Sequence, residues 1–189
     1  MKIFLTNQNH KFKSHLDILK KCQVITYDRS KLKETITTME LEFFCDIHAL
    51  NLKFLFDYMI FPGKIMTYLT QWENEKRNMK VGDTIVQQVY LPPISSFSQK
   101  IIFGVRINEI INEPARIGFS YETLEGHVEK GISTFTIEEI ANKLIIKIHT
   151  FSSPGNFLTK LMGPVFSIPY QKYCTKLALK TIKKQIHAS

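Results

Sequence analysis

The sequence predicts a single α+β domain in which a curved antiparallel sheet is wrapped around a long C-terminal helix, with two short helices after the first strand. Strand-like runs with alternating apolar residues follow one another between residues 84 and 152, and a helical pattern runs from residue 157 to the end of the sequence. An antiparallel sheet with one apolar face needs a cover, and the terminal helix is the longest element available. A length of 189 residues fits one domain.

Residues 1–35 are expected to form a polar, lysine-rich N-terminal lead, and residues 36–189 are expected to form the domain itself. Within the lead, the stretch HKFKSHLDILKKC spaces Phe12, Leu16 and Leu19 nearly as a short helix would. A strand followed by a loop is the alternative for this segment.

The first strand of the domain is predicted where four apolar residues alternate with other residues: Leu41, Phe43, Cys45 and Ile47. Two short helices are predicted after it. The first has an apolar face made of Leu52, Leu55 and Phe56. The sequence Phe-Pro-Gly at residues 61–63 interrupts the pattern. The second helix is predicted from a stripe at helical spacing: Ile65, Met66, Leu69 and Trp72.

Five strands are predicted after a turn at VGDT, residues 81–84. They are TIVQQVYL, ended by Pro92 and Pro93, and then KIIFGVRINEII, ARIGFSYET, GISTFTIEE and KLIIKIHTF. The short connections between them predict hairpins and therefore an antiparallel meander. The stretch FSSPGN, residues 151–156, is expected to close the sheet.

The terminal segment has helical spacing on both sides of a predicted break. Before the break the apolar stripe is Leu158, Leu161, Met162, Val165 and Phe166; after it the stripe is Tyr170, Tyr173, Leu177 and Ile182. Pro164 and Pro169 predict the break, because proline removes a backbone donor from a helix interior. The pair Gly163-Pro164 is interpreted as a helix start, with a hinge or portal as the alternative.

Charge and cysteine content bound the function classes. A net charge of +8 and a pI near 9.3 attract anions without selecting among nucleic acid, acidic lipid and acidic metabolites, and a solvated lysine surface is the plainer interpretation. Three widely spaced cysteines exclude a disulfide framework and fit a reducing compartment. No signal peptide or membrane span is recognised, so a cytoplasmic protein is expected.

Metal, cofactor and nucleic-acid motifs are not recognised in the sequence. The six histidines lack the spacing of a metal site, and no cofactor is predicted. A nucleic-acid partner is not favoured, because the basic residues are not interleaved with a recognisable aromatic surface. The oligomeric state is left open.

Three motifs carry a family resemblance: GFSYETLEGHVEKG at residues 118–131, FSSP at residues 151–154, and LMGP at residues 161–164. The positions that match are Gly118, Phe119, Tyr121, Thr123, Leu124, Gly126, His127, Glu129, Gly131, Phe151, Ser152, Pro154, Gly163 and Pro164. In these motifs the chain resembles the uncharacterised family called domain of unknown function nineteen-ninety. It departs from the family pattern at Ile132 and Ser133, where relatives often have an acidic pair, and at Ser153, where they often have arginine.

The family in turn resembles the START-like helix-grip superfamily of birch-pollen allergens and polyketide cyclases. That resemblance implies a hydrophobic or amphipathic small molecule held in a cavity between the sheet and the terminal helix. The residues expected to line such a cavity or its rim are Phe119, Tyr121, Thr123, His127, Glu129, Phe151 and Trp72. The 14 phenylalanines fit a cavity wall, although a filled core would need the same residues.

Tyr121, His127 and Glu129 are also the candidates for chemistry. A histidine two residues from a carboxylate can act as a general base, so a cyclase- or hydrolase-type enzyme is the first alternative to a binding protein. A basic module that contacts nucleic acid or a membrane surface is the second alternative. The plainest interpretation is that these three side chains satisfy one another and stabilise a hairpin.

Overall fold

The computed structural model describes residues 2–42, 45–91, 98–154 and 168–188, which form an α+β fold with a curved antiparallel sheet and a C-terminal helix. The strands are β1 (Lys2–Phe4), β2 (Lys33–Glu40), β3 (Met66–Thr70), β4 (Thr84–Leu91), β5 (Gln99–Glu113), β6 (Arg116–Thr123), β7 (Glu129–Ile140) and β8 (Lys143–Pro154). The helices are α1 (Phe12–Leu19), α2 (Lys53–Phe56), α3 (Gln71–Asn74) and α4 (Ile168–Ala188). Single 3-10 turns cover Asn9–Lys11, Arg29–Lys31 and Ile47–Ala49.

The strands lie in the order β2-β8-β7-β6-β5-β4-β3, and β1 pairs with the first part of β5. Strands β4 to β8 are consecutive neighbours, which confirms the predicted five-stranded meander. β2 closes the order by pairing with β8, so the strand before the two short helices lies beside the last strand of the sheet. A distant pairing of this kind is not contained in any local pattern of the sequence.

The sheet separates two apolar cores. The larger core lies on the face that packs against α4, called here the helix face, and includes Phe119, Phe135 and Ile146 from the sheet. The helix contributes its buried stripe to it: Ala178, Leu179, Ile182 and Ile186. The smaller core lies on the opposite face, the outer face, where Phe12 and Leu16 of α1 pack against Val86 and Ile102. α1 therefore confirms the helical alternative for this part of the lead.

The predicted strand from Leu41 to Ile47 was wrong. β2 ends at Glu40, and Ile47 lies in a 3-10 turn. The β-branched run ITT at residues 36–38 lies within β2, where such residues pack well on a pleated surface. Leu41 and Ile47 are buried in the larger core without belonging to a strand, so alternation in this segment reflected burial rather than an extended backbone. Phe43 lies outside the described residues.

The second predicted helix, from Ile65 to Trp72, was also wrong over most of its length. Met66–Thr70 is strand β3, paired with β4, and only Gln71–Asn74 is helical. Threonine and tyrosine favour strands, and β4 provides the partner for the backbone. The preceding helix exists as the single turn α2, after which Tyr58 adopts a positive φ of 62°.

The C-terminal helix is described from Ile168 onward, with Pro169 in its first turn, where a missing backbone donor costs little. The predicted break at Gly163-Pro164 and the stripe from Leu158 to Phe166 lie outside the described residues. Among the residues that the structure describes, no helix combines the length and the apolar character needed to cross a membrane.

Candidate ligand-binding site on the helix face

The glycines of the motif at residues 118–131 are required by the backbone of the β6–β7 hairpin. A Cβ at Gly118 would collide with the carbonyl oxygen of Phe135, and one at Gly131 would collide with that of Phe151. Gly126 has a φ of 81° in the turn and Gly131 a φ of 146°, which are conformations that side chains disfavour. The glycines of this motif are therefore explained by packing between strands.

Two side chains of the motif hold the hairpin together. The Thr123 hydroxyl accepts a hydrogen bond from the Gly131 amide at 3.0 Å and lies 3.4 Å from its carbonyl oxygen. His127 Nδ1 lies 3.0 Å from the amide nitrogen and 2.9 Å from the carbonyl oxygen of Glu129. It accepts from the amide in one tautomer and donates to the carbonyl in the other. Both side chains thus replace backbone pairing at the open end of the hairpin.

The ring of His127 packs against Phe103, with 4.1 Å between ring centroids. Burial against this apolar neighbour lowers the pKa of His127 to about 3, so the imidazole is neutral at physiological pH. A neutral ring bonded to the backbone serves as a structural clamp. Within the described residues no hydrogen bond joins it to the Tyr121 hydroxyl.

Tyr121 belongs to a cluster of polar side chains on the helix face, called here the hydroxyl cluster: Tyr58, Gln87, Tyr121, Ser133 and Thr150. Gln87 Nε2 donates to the Tyr58 hydroxyl at 2.6 Å. The hydroxyls of Ser133 and Thr150 are 3.2 Å apart. Tyr121 stands directly opposite Ser133 in the β6–β7 register and interacts with the polar groups of Tyr58, Ser133 and Gln87. The cluster thus connects the turn after α2 to strands β4, β6, β7 and β8.

The tyrosines of this cluster stay protonated at physiological pH. Burial raises the pKa of Tyr121 to about 12, against the nearby polar groups of Tyr58, Ser133 and Gln87, which favour the ionised form. Burial likewise raises the pKa of Tyr58 well above its usual range. Tyr68 packs edge-on against Tyr58 at 5.0 Å, and burial together with Glu73 and Asp57 raises its pKa to about 12. The cluster therefore presents neutral phenols.

The cluster has a closed end and an open end. Tyr58 and Gln87 are 0% and 4% exposed, whereas Tyr121, Ser133 and Thr150 are half-buried. Half-buried hydroxyls beside an apolar core can bind a polar group on a molecule that packs against the same face. The open end of the hydroxyl cluster is therefore the candidate functional site.

Sequence reasoning missed Tyr58, Gln87 and Thr150. Gln87 had a readable signal, because it occupies the same face of β4 as Ile85 and Val89 and so interrupts an apolar stripe with an amide. Thr150 follows Leu144, Ile146 and Ile148 in the same way on β8. Tyr58 had no such signal, because tertiary folding brings it from 63 positions away in the sequence to within 6.3 Å of Tyr121, measured between ring centroids.

The sequence-predicted ligand residues lie in three different environments. Phe119 and Trp72 are packed inside the larger core, where they are 0% and 2% exposed. Tyr121 is at the candidate site, and the negative charge of Glu129 acts on it. Phe151 lies apart from them on the outer face, where the guanidinium of Arg29 lies 4.0 Å from its ring centroid. The ring of His149 packs against it in a tilted contact, with 4.6 Å between centroids. Phe151 therefore does not share a face with Phe119 and Tyr121.

Two other kinds of site, a metal site and a surface depression, bear on function in the described part of the chain. No group of three His, Cys, Asp or Glu side chains there is placed to hold a metal ion. A shallow depression that is open to solvent lies between α2 and the end of α4, lined by Phe54, Asp57, Met59 and Gln185 among others. It contains none of the sequence-predicted residues.

Comparison with known proteins identifies the family and the general fold. The chain belongs to the family described as Domain of unknown function (DUF1990), whose model matches residues 53–181. Among curated proteins, none is similar to it in sequence.

Solved structures with a similar fold include the hypothetical protein jhp0584 from Helicobacter pylori, which is 7% identical with a TM-score of 0.56 over 87% of this chain and 96% of that one. A protein from Arthrobacter aurescens is 12% identical with a TM-score of 0.53 over 88% of this chain and 94% of that one. At these identities the likeness extends to the fold alone.

Proposed function

We propose that this protein has the START-like helix-grip architecture and binds a hydrophobic or amphipathic small molecule between the helix face and α4, with Tyr121 as the main polar contact. The observation that carries the proposal is the hydroxyl cluster, which places half-buried polar groups at one end of an otherwise apolar face. Sites for small molecules combine these features, since the apolar wall supplies affinity and a few polar groups supply orientation.

The topology supports the architectural part of the proposal. β2 precedes the two short helices and pairs with β8, the last strand of the chain before α4. α4 then returns across the same face and buries Leu179 and Ile182 in the larger core. This is the arrangement in which a sheet and a terminal helix enclose a ligand.

The packing narrows where the molecule would lie. Tyr58, Phe119 and Phe135 are fully buried, so the middle of the helix face is already filled. Phe119 stacks on Phe135 at 5.4 Å and meets Tyr58 in a tilted contact at 6.0 Å, measured between ring centroids. A ligand would lie beside Tyr121, Ser133 and Thr150, with Glu129 at the rim. In this proposal Thr123 and His127 act indirectly, because they hold the hairpin that carries Tyr121 and Glu129.

A saturation experiment with Nile red, a neutral dye whose emission rises in apolar surroundings, tests the proposal. We expect saturable binding to the full chain. Ser133→Leu should weaken it about tenfold, because the larger side chain would occupy the space beside Tyr121. The matched control is Thr134→Leu, since Thr134 is the next residue along β7 and has its side chain on the outer face.

Emission that never saturates would contradict the proposal, and so would an equal loss of affinity in the Ser133→Leu and Thr134→Leu variants. Native mass spectrometry of the purified chain provides a second measurement, in which a co-purifying small molecule is expected. Circular dichroism of both variants establishes that each is folded before the affinities are compared.

A further inference from the structure

We propose that the polar group of the ligand is uncharged, such as a hydroxyl or a carbonyl, and that the site discriminates against carboxylates and other anions. This inference rests on the proposed function and specifies the ligand class of the same site. A preference for uncharged ligands is the opposite of what the net charge of +8 would suggest, because a basic protein attracts anions.

The helix face of the central strands carries no cation that could neutralise an anionic ligand. On β4 to β8 its register positions are occupied by apolar side chains and glycine together with polar residues: Gln87, Asn112, Tyr121, Thr123, Glu129, Ser133, Glu139, Thr150 and Ser152. None of these described positions is lysine or arginine. A carboxylate placed here would lose its hydration without gaining an ion pair, and burying an uncompensated charge is costly.

The polar groups at the open end are neutral hydrogen-bonding groups. Tyr121, Ser133 and Thr150 contribute hydroxyls, and each hydroxyl can donate or accept. Such groups suit a ligand hydroxyl or carbonyl, with which they can exchange hydrogen bonds of ordinary strength. Recognition of a carboxylate usually relies on arginine, lysine or several backbone amides instead.

The charges that do act on the cluster are negative. Glu129 acts on Tyr121. Glu73 and Asp57 act on Tyr68, which lies outside the cluster and packs against Tyr58. Lys53, the first residue of α2, is paired with Asp57. A second negative charge brought in by a ligand would be repelled by these carboxylates.

The cations of the neighbouring elements are placed elsewhere. Lys147 and Arg116 bind Glu138 on the outer face. Lys183 of α4 binds Glu42, and Lys176 of the same helix is exposed. Lys33 of β2 stands opposite Ser152 in the β2–β8 register and is exposed. Within the described residues, the ion pairs of Lys147, Arg116 and Lys183 therefore lie away from the hydroxyl cluster, and Lys33 lies at its outer margin.

Isothermal titration of the full chain with 1-decanol and with decanoate tests the inference at about pH 8, where the carboxylate is fully ionised. The two probes share a ten-carbon chain and differ in charge. We expect 1-decanol to bind roughly tenfold more tightly than decanoate. The Glu129→Gln variant should reduce the ratio of the 1-decanol affinity to the decanoate affinity several-fold, because it removes the negative charge that acts on Tyr121. Glu125→Gln is the matched control, since Glu125 is an exposed acid in the same hairpin and should leave the ratio unchanged.

Equal or tighter binding of decanoate would overturn the inference, as would a ratio that Glu129→Gln leaves unchanged. If Nile red binds while 1-decanol does not, the ligand class is wrong and the proposed function stands. If neither Nile red nor either decyl probe binds, the proposed function fails and the inference fails with it.

Discussion

Gly118 and Gly131 show how closely the strands of this sheet approach one another. Each is a site where the added methyl group of alanine would overlap a carbonyl oxygen of the adjacent strand, which belongs to the backbone and cannot rotate away. At Gly131 the positive φ adds strain for any other residue. The same two positions begin and end the sequence motif, so its glycine pattern follows from strand packing.

We predict that Gly118→Ala destabilises the protein by about 2–3 kcal/mol, because the strands have to separate locally to admit the methyl group. Urea unfolding followed by circular dichroism measures the change. Gly63→Ala is the control, since nothing lies within 4 Å of the position its Cβ would take. A Gly118→Ala variant as stable as the Gly63→Ala variant would show that the sheet relaxes at no cost.

His127 couples the stability of the hairpin to pH. A histidine in the unfolded chain titrates near 6.5, whereas burial lowers the pKa of His127 to about 3 in the folded protein. Between these values the unfolded chain binds more protons than the folded one, so the free energy of unfolding decreases as the pH falls. The contribution is fully present above pH 6.5 and is lost progressively toward pH 3.

We predict that the wild-type protein loses about 2 kcal/mol more stability than a His127→Asn variant when the pH is lowered from about 7.5 to about 5. Asparagine retains an acceptor for the Glu129 amide but does not titrate. Comparing the two proteins cancels the contribution of every other titrating group. The measurement is urea unfolding at both pH values, and parallel losses in the two proteins would exclude His127 as the cause.

At the scale of the element, α1 joins the N-terminal residues to the sheet. Leu16 is 1% exposed against Val86 and Ile102, and Ile18 of the same helix is 50% exposed. Arg106 of β5 donates to the carbonyl oxygens of Leu19, Lys20 and Cys22 at 3.1–3.2 Å, so the C-terminal end of the helix is capped from the sheet. β1 pairs with β5 on the same side of the molecule.

We predict that Leu16→Ala costs about 2–4 kcal/mol of unfolding free energy, because it leaves a cavity between α1 and the sheet. Ile18→Ala changes a similar volume on the exposed side of the same helix and should cost less than about 1 kcal/mol. The same unfolding measurement separates the two. Equal costs would mean that α1 does not contribute to the folded core.

The elements differ in how far their own sequence predicts them. β4 to β8 alternate apolar and polar residues, and short turns join β5 to β8 in succession, so local pattern suffices to predict these strands. Local pattern does not identify β3 as a strand, because Met66 and Leu69 also fit a helical stripe. Pairing with β4 selects the extended backbone. The first strand was predicted too far along the chain for a related reason. Leu41 and Ile47 are apolar and buried, but neither belongs to β2.

At the scale of the whole molecule, the sheet divides a large core under α4 from a small core under α1. The polar residues of the candidate site come from the turn after α2 and from four strands, and they meet because the sheet brings distant segments together on the helix face. The proposed ligand and its lack of charge both follow from this convergence, and the Nile red and decyl probes test them at this scale.

The sequence by itself determined the meander of five strands, the terminal helix, the hairpin and the family, because each depends on local periodicity or on a motif with many matched positions. Tertiary structure decided the partner of β2, the extended form of β3, the opposite faces of Tyr121 and Phe151, and the contact of Tyr58 with Tyr121. These depend on pairing and packing between segments far apart in the chain, and on which residues share a face once the register is set.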